Sequence, residues 1–196
     1  SLLPPDAGTI RIDGHDPMKD ALAIQRTLGV VPDSRGLYKR LSARENIAYY
    51  GELHGMGKAR IQQRIETLAR TLNMEDFIDR HTDGFSQGQQ VKVAIARAMI
   101  HEPQTIMLDE PSNGLDVMTT RALREFILDL KAQGHSVVLS THIMQEVAAL
   151  CDRIIIIAKG RIAADGTQAE LLERSGESNI EEAFVKLIGS EEGLLA

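Results

Sequence analysis

Short apolar runs alternate along the chain with longer amphipathic stretches, and this rhythm predicts strands separated by helices. Gly8-Thr9-Ile10-Arg11-Ile12-Asp13-Gly14 alternates like a short strand between turn glycines. Thr27 to Val31 reads as a second strand, stopped by Pro32. Thr105 to Leu108, Ser136 to Leu139 and Arg153 to Ile157 are short, partly β-branched and not strictly alternating. That pattern suits strands covered on both faces. Ser42 and Glu45 have capping-box spacing and open a helix toward Leu53. Ile61, Ile65, Leu68 and Leu72 recur at helical intervals, so Lys58 to Leu72 is amphipathic. Gln87 to Ile100 carries Val91, Ala94, Ile95 and Ala98 on one face, with Lys92 and Arg97 elsewhere, and Val117 to Gln133 carries Leu123, Phe126, Ile127 and Leu130. Thr167 to Glu170 and Ser178 to Glu181 have the spacing of caps for two C-terminal helices. Arg153 to Ala158 and Arg161 to Ala164 form a hairpin joined at Lys159-Gly160. The expected fold is therefore α/β, with a mainly parallel sheet and a block of helices, about 43 to 100, inserted into it.

Composition narrows the function classes. The 196 residues contain 43% hydrophobic and 26% charged residues, enough apolar content for a packed core. The net charge is −6, and residues 168–196 hold seven Glu against two basic residues, so nearly all of the acid excess lies there. The near-neutral remainder lacks the basic footprint of a duplex binder, and 4% aromatics with no Trp argue against a base-stacking platform. No nucleic-acid partner is expected. The single cysteine, Cys151, excludes an internal disulfide and a cysteine-rich metal site. The apolar run Ile154 to Ala158 is far too short to span a bilayer.

Three places combine chemistry with position. Thr105-Ile106-Met107-Leu108-Asp109-Glu110-Pro111 is an apolar strand ending in adjacent carboxylates, where ligands sit in a parallel sheet. One carboxylate suits a hard cation and the other a water, the division of labour of phosphoryl transfer. Taken alone, the pair reads equally as two solvated acids. Phe85-Ser86-Gln87-Gly88-Gln89 precedes a helix. Ser86 with Gln89 is a capping box, and the same helix start offers free N–H groups to a phosphate, with Gly88 permitting close approach. Leu139-Ser140-Thr141-His142 ends another strand, so His142 is either a satisfied surface histidine or a donor to a terminal phosphate. The other five histidines show no paired metal-ligand spacing and are given no role.

As a set, these segments resemble the ATP-binding cassette ATPases, the nucleotide-binding subunits of ABC transporters. Phe85 to Gln89 resembles the family's signature motif, Ile106 to Asp109 its Walker B strand with Glu110 as the adjoining catalytic glutamate, Ser112-Asn113-Gly114-Leu115-Asp116 its D-loop, and His142 its switch histidine. The resemblance implies a P-loop NTPase-like (RecA-like) fold. Its catalytic α/β core would comprise residues 1–40 and 101–167, its helical subdomain with the signature motif 41–100, and its acidic C-terminal helices 168–196. It implies ATP and Mg²⁺ as ligands, with Asp109 holding the metal, Glu110 polarising the hydrolytic water and His142 contacting the γ-phosphate. Ser86, Gln87, Gly88 and Gln89 would close on ATP bound to a second subunit in a head-to-tail dimer, and Asp116 would lie at that junction. Gly36-Leu37-Tyr38, Leu41 to Asn46, Tyr49-Tyr50-Gly51 and Ile180 to Phe184 are similar to the sodium- and drug-exporter (NatA-type) branch. That branch implies a cytoplasmic subunit, peripheral on the inner face of the cell membrane, docked on a membrane permease.

The chain departs from the pattern in three ways. It contains no G-x-x-x-x-G-K-[ST] phosphate cradle. Leu2 to Ile10 resembles the stretch just after that cradle, so the expectation is an N-terminally truncated cassette with exposed apolar surface and weak ATP binding by itself. Asp33 stands where the family has Gln on the loop near Mg²⁺, and Gln87 stands where many members have Gly. Two other roles fit the sequence: a non-hydrolytic cassette remnant that binds or regulates a partner, and a soluble ATPase of the same family acting on nucleic acid or ribosomes.

Overall fold

The structure, a computed structural model, describes residues 3–192. The chain divides into two compact units, Ser1–Ser140 and Thr141–Ala196.

In the first unit the elements are α1 (Ala21–Thr27), β1 (Leu28–Val31), α2 (Ala43–Leu53), α3 (Lys58–Thr71), α4 (Gln87–Met99), β2 (Thr105–Asp109), α5 (Val117–Ala132) and β3 (Ser136–Ser140). The three strands form a parallel sheet in the order β1-β2-β3, with Val30 beside Met107 and Met107 beside Val138. The inserted helices begin where their caps predict. Ser42 and Glu45 satisfy each other's backbone N–H at the start of α2, and Ile61, Ile65 and Leu68 of α3 are buried. The fully buried Asn46 accepts from the Tyr38 N–H and donates to the Tyr38 and Ser42 carbonyls, which fixes the approach to α2. α4 then runs against β1. A Cβ on Gly29 would lie 2.5 Å from the Ala98 carbonyl, so only glycine permits this approach.

Three sequence expectations are corrected here. The Gly8–Gly14 stretch is not a strand of the sheet. Positive φ at Asp13 and Gly14 folds the chain back, leaving one bridge between Ile12 and His15. The parallel strands are not covered on both faces among the described residues: Val30, Met107 and Val138 form an exposed row across one face. Ile106, Leu108 and Val31 on the other face are buried. Arg97, set off the apolar face of α4 by the sequence pattern, is nonetheless only 5% exposed. The cap of the last helix is Asn179 rather than Ser178, since the side-chain Oδ1 of Asn179 accepts from the Glu182 N–H at 2.9 Å.

The second unit contains α6 (Met144–Leu150), β4 (Ile154–Ala158), β5 (Arg161–Gly166), α7 (Gln168–Ser175) and α8 (Ile180–Glu192). β4 and β5 form the expected antiparallel hairpin. Val147, Ile154, Ile156, Leu171, Ile180 and Leu187 share its core, and Thr167 and Glu170 form a capping box on α7. No helix among the described residues is long and apolar enough to cross a membrane.

Two histidines without a role in the sequence pattern meet at the end of the inserted block. The His54 and His101 rings stack with centroids 3.7 Å apart and 7° between planes. Nε2 of His101 lies 3.2 Å from the Leu28 carbonyl. Burial first, and the neighbouring His54 second, push the His101 imidazole down from 6.5 to about 4. An imidazole kept neutral by folding contributes its stability in full above its ordinary value, and that contribution is lost as the pH falls from about 6.5 toward about 4. The thermal midpoint should therefore drop more steeply between pH 7 and pH 5 in the unmodified chain than in His101→Gln, which keeps a donor for Leu28. Parallel curves for the two proteins would remove His101 from this role.

Candidate active site

The end of β2 places two carboxylates at the C-terminal edge of the sheet. Asp109 falls on the same side of β2 as Met107, by the period-2 alternation of a strand, and is exposed. Its register partner on β3 is Ser140. The Ser140 hydroxyl donates a short hydrogen bond to Oδ1 of Asp109, and the Ser140 carbonyl accepts from the Glu110 N–H at 3.0 Å. One serine thus fixes both acidic residues. Glu110 itself adopts φ of +43°, a left-handed conformation disfavoured for residues with a β-carbon and persisting where surrounding contacts dictate it. Its carbonyl accepts from the Asn113 N–H at 3.2 Å, closing the turn after the strand.

The start of α4 forms the second part. Ser86 is the N-cap: its hydroxyl accepts from the Gln89 N–H at 3.2 Å, and the Gln89 side chain accepts from the Ser86 N–H at 3.1 Å. The first-turn N–H groups of Gln87 and Gly88 have no intrahelical acceptor, leaving the positive end of the helix dipole to face other groups. The missing side chain of Gly88 is used within the fold. A Cβ there would lie 3.0 Å from Cγ2 and 3.1 Å from Oγ1 of Thr119. Thr119 in turn donates from its hydroxyl to Asp116 at 2.7 Å. Asp116 caps α5 by accepting the Met118 and Thr119 N–H groups, each at 3.0 Å. The Thr119 hydroxyl first, and the backbone N–H groups after it, hold the Asp116 carboxyl below the usual carboxylate range.

Asp33 and Gln87 line one polar cleft of about 300 Å³ together with Arg35, Gln90 and Asn113. The structure therefore gathers Asp109 with Glu110, Ser86 with Gln89, Gly88 with Asp116 through Thr119, and Asp33 with Gln87. His142 is exposed and belongs to the second unit, two residues beyond Ser140. Two residues that the sequence reading did not single out matter here. Ser140 could have been found by aligning the ends of the two predicted strands, because it faces Asp109 in parallel register. Arg35 could not, since its partners lie 52 and 78 residues away. No group of three or more His, Cys, Asp or Glu side chains among the described residues is arranged to hold a metal by itself.

Residues 1–113 match the family model described as ABC transporter. The chain is 40% identical to the ABC transporter ATP-binding protein NatA of Bacillus subtilis, over 94% of this chain and 76% of that protein. It is 32% identical to the daunorubicin resistance ATP-binding protein DrrA3 of Streptomyces coeruleorubidus, over 92% of this chain but only 57% of that relative. Among solved structures, one titled "Structure of ATP binding subunit of ABC transporter" superposes with a TM-score of 0.85 at 30% identity, covering 95% of this chain and 78% of that one.

Proposed function

The chain belongs to the ABC transporter ATP-binding family, and from that premise we propose that it is the ATP-hydrolysing part of a membrane exporter. The observation that carries this reading is the Ser140 clamp, which sets a metal-type carboxylate and a base-type carboxylate side by side at the end of a parallel strand. Asp109 fits a hard cation. One of its oxygens takes the Ser140 hydroxyl, and the second carboxylate oxygen is of the donor type that Mg²⁺ prefers. Mg²⁺, when bound, neutralises phosphate charge. Glu110 accepts a proton from the attacking water and orients it, and His142 donates to the terminal phosphate. Ser86, Gly88 and the N–H groups of the α4 start face the phosphates of ATP held by a second subunit in a head-to-tail pair, with Gln87 and Gln89 beside them and Asp116 at the junction. Asp33 would reach bound Mg²⁺ through a water. Residues 41–100 act as the helical subdomain, 1–40 and 101–167 as the catalytic core and 168–196 as acidic C-terminal helices. A permease at the inner face of the membrane is the docking partner. Export is supported by the name of another relative, the Nod factor export ATP-binding protein I of Rhizobium sp. (strain N33), 32% identical over 86% of this chain and 56% of that protein.

Residues 1–196 hold no G-x-x-x-x-G-K-[ST] run, and carboxylates alone repel a triphosphate. Calorimetry on this polypeptide should therefore show no micromolar affinity for MgATP. A protein in which such a cradle precedes residue 1 should bind and hydrolyse it. Micromolar binding by residues 1–196 would overturn the dependence on the cradle, and a cradle-bearing protein that releases no phosphate would overturn the hydrolytic reading.

A further inference from the structure

Three loops that are distant in sequence meet on one side chain. Arg35, just after β1, is only 7% exposed. It is held at φ of +52°, and its carbonyl accepts from Nη2 of Arg97 at 2.6 Å. With its main chain fixed by α4, its guanidinium reaches across the polar cleft. Nη1 donates to the side-chain oxygen of Gln87 at the start of α4, and Nη2 donates to the Asn113 carbonyl, 2.9 Å away, in the turn after β2. We propose that Arg35 is a positioning residue that locks the start of α4 to the turn behind Asp109 and Glu110, so that the two move as one piece.

The proposal rests on the cassette reading for its functional consequence, but the link itself stands on geometry. The hydrogen bonds form an unbroken line. The Ser140 carbonyl takes the Glu110 N–H, and the Glu110 carbonyl takes the Asn113 N–H. The Asn113 carbonyl takes Arg35, and Arg35 donates onward to Gln87. A contiguous chain of this kind is a physical route for coupling when each member has a defined alternative partner or none. The residue types are specific. A guanidinium donates in two directions from one rigid plane, which an ammonium cannot do. Gln87 supplies the side-chain acceptor for one of these two donations, which a glycine there would lack. In the proposed cassette the far ends of the line are the water-polarising carboxylate of one ATP site and the helix start that faces ATP held by a second subunit, so the tie joins parts of two sites.

Two measurements separate the link from the function it serves. In residues 1–196, hydrogen exchange reports on the Gln90 N–H, which bonds to Ser86, and on the Asn113 and Leu115 N–H groups, which bond to Glu110 and Ser112. Arg35→Met should speed exchange at both segments by about tenfold, the loss of one hydrogen bond to a charged group at each. Buried amides of α3 should exchange as before. Gln87→Gly should speed the Gln90 segment only, and Arg35→Lys should restore one segment but not both. Unchanged exchange at Gln90 and Asn113 in Arg35→Met overturns the proposal, as does equal acceleration throughout the unit, which would mark a merely structural role. In a protein with a phosphate cradle before residue 1, Arg35→Met should lower kcat about tenfold with KM for ATP little changed, and Arg35→Lys should recover part of that loss. An unchanged kcat in Arg35→Met overturns the functional consequence of the link. A cradle-bearing parent without ATPase activity overturns the functional reading alone, because the exchange result decides the link independently.

Discussion

Glu110→Gln is expected to reduce ATP turnover by about 10²–10⁴-fold, the usual worth of a positioned general base, while leaving the thermal midpoint nearly unchanged. The two halves of that expectation come from different parts of the same residue. The backbone of Glu110 is fixed by its N–H to Ser140 and by its carbonyl to Asn113, and neither bond involves the side chain. Its left-handed φ of +43° disfavours Glu and Gln alike, so the substitution neither adds nor relieves strain. What changes is the charge: an amide cannot take a proton from water at neutral pH. The check is phosphate release by a protein with a cradle before residue 1, together with ATP binding, which should be retained. Undiminished turnover would remove Glu110 from the chemistry and leave the carboxylate pair as a metal and packing site.

Why much of the fold could be read from the sequence is clear from individual elements. The inserted helices carry caps that are local patterns, Ser42 with Glu45 and Ser86 with Gln89, and each box forms as written. The strand before Asp109 is an apolar run stopped by a proline, and it ends where the carboxylates begin. The short helix α1, seven residues long, left no signal because it completes too few turns for a 3.6-residue period to emerge. Burial was misjudged where it depends on distant partners. Thr105 to Leu108 and Ser136 to Leu139 have the pattern of strands covered on both faces, yet Met107 and Val138 share an exposed face with Val30. At the site, Asp109, Glu110 and the capping box could be recognised because spacing along one segment sets them up. Ser140 and Arg35 were not singled out, because strand register and the folding of the chain bring their partners to them from distant positions.

Arg97 shows the same limit and carries the largest expected effect on stability. Helical periodicity set it apart from the apolar face of α4, as a cation normally is, but the structure buries it. Its guanidinium donates to the Gly36 carbonyl at 2.9 Å and the Arg35 carbonyl at 2.6 Å, and lies 4.4 Å from the centre of the Tyr50 ring. Burial pulls its pKa below the ordinary arginine value, with no carboxylate among the causes acting on it. The compensation is therefore two backbone carbonyls and a π face rather than an ion pair. Removing it leaves the buried Arg35 carbonyl without its donor, takes a partner from the part-buried Gly36 carbonyl and opens a cavity against Tyr50. Arg97→Ala should cost about 3 kcal/mol, the sum of two lost charge-assisted bonds at the low end of their range. For a chain of this size that corresponds to a fall in Tm of roughly 10 °C. Arg97→Lys should recover only part of this, because one ammonium cannot serve two carbonyls and the ring together. Arg97→Met should recover volume but not the donors, so it should stay close to Ala. A change of less than about 2 °C for Ala, set against that scale, would mean that the carbonyls find water. The same substitution frees the main chain of Arg35, so its effect should reach the amides of Asn113 and Leu115 although Arg97 touches neither. Arg35→Met should disturb those amides too but lower Tm by less, because the Arg97 guanidinium keeps the Arg35 and Gly36 carbonyls and the Tyr50 ring. The contrast separates the residue that anchors the loop from the residue that uses that anchorage to hold the carboxylate turn to the helix start.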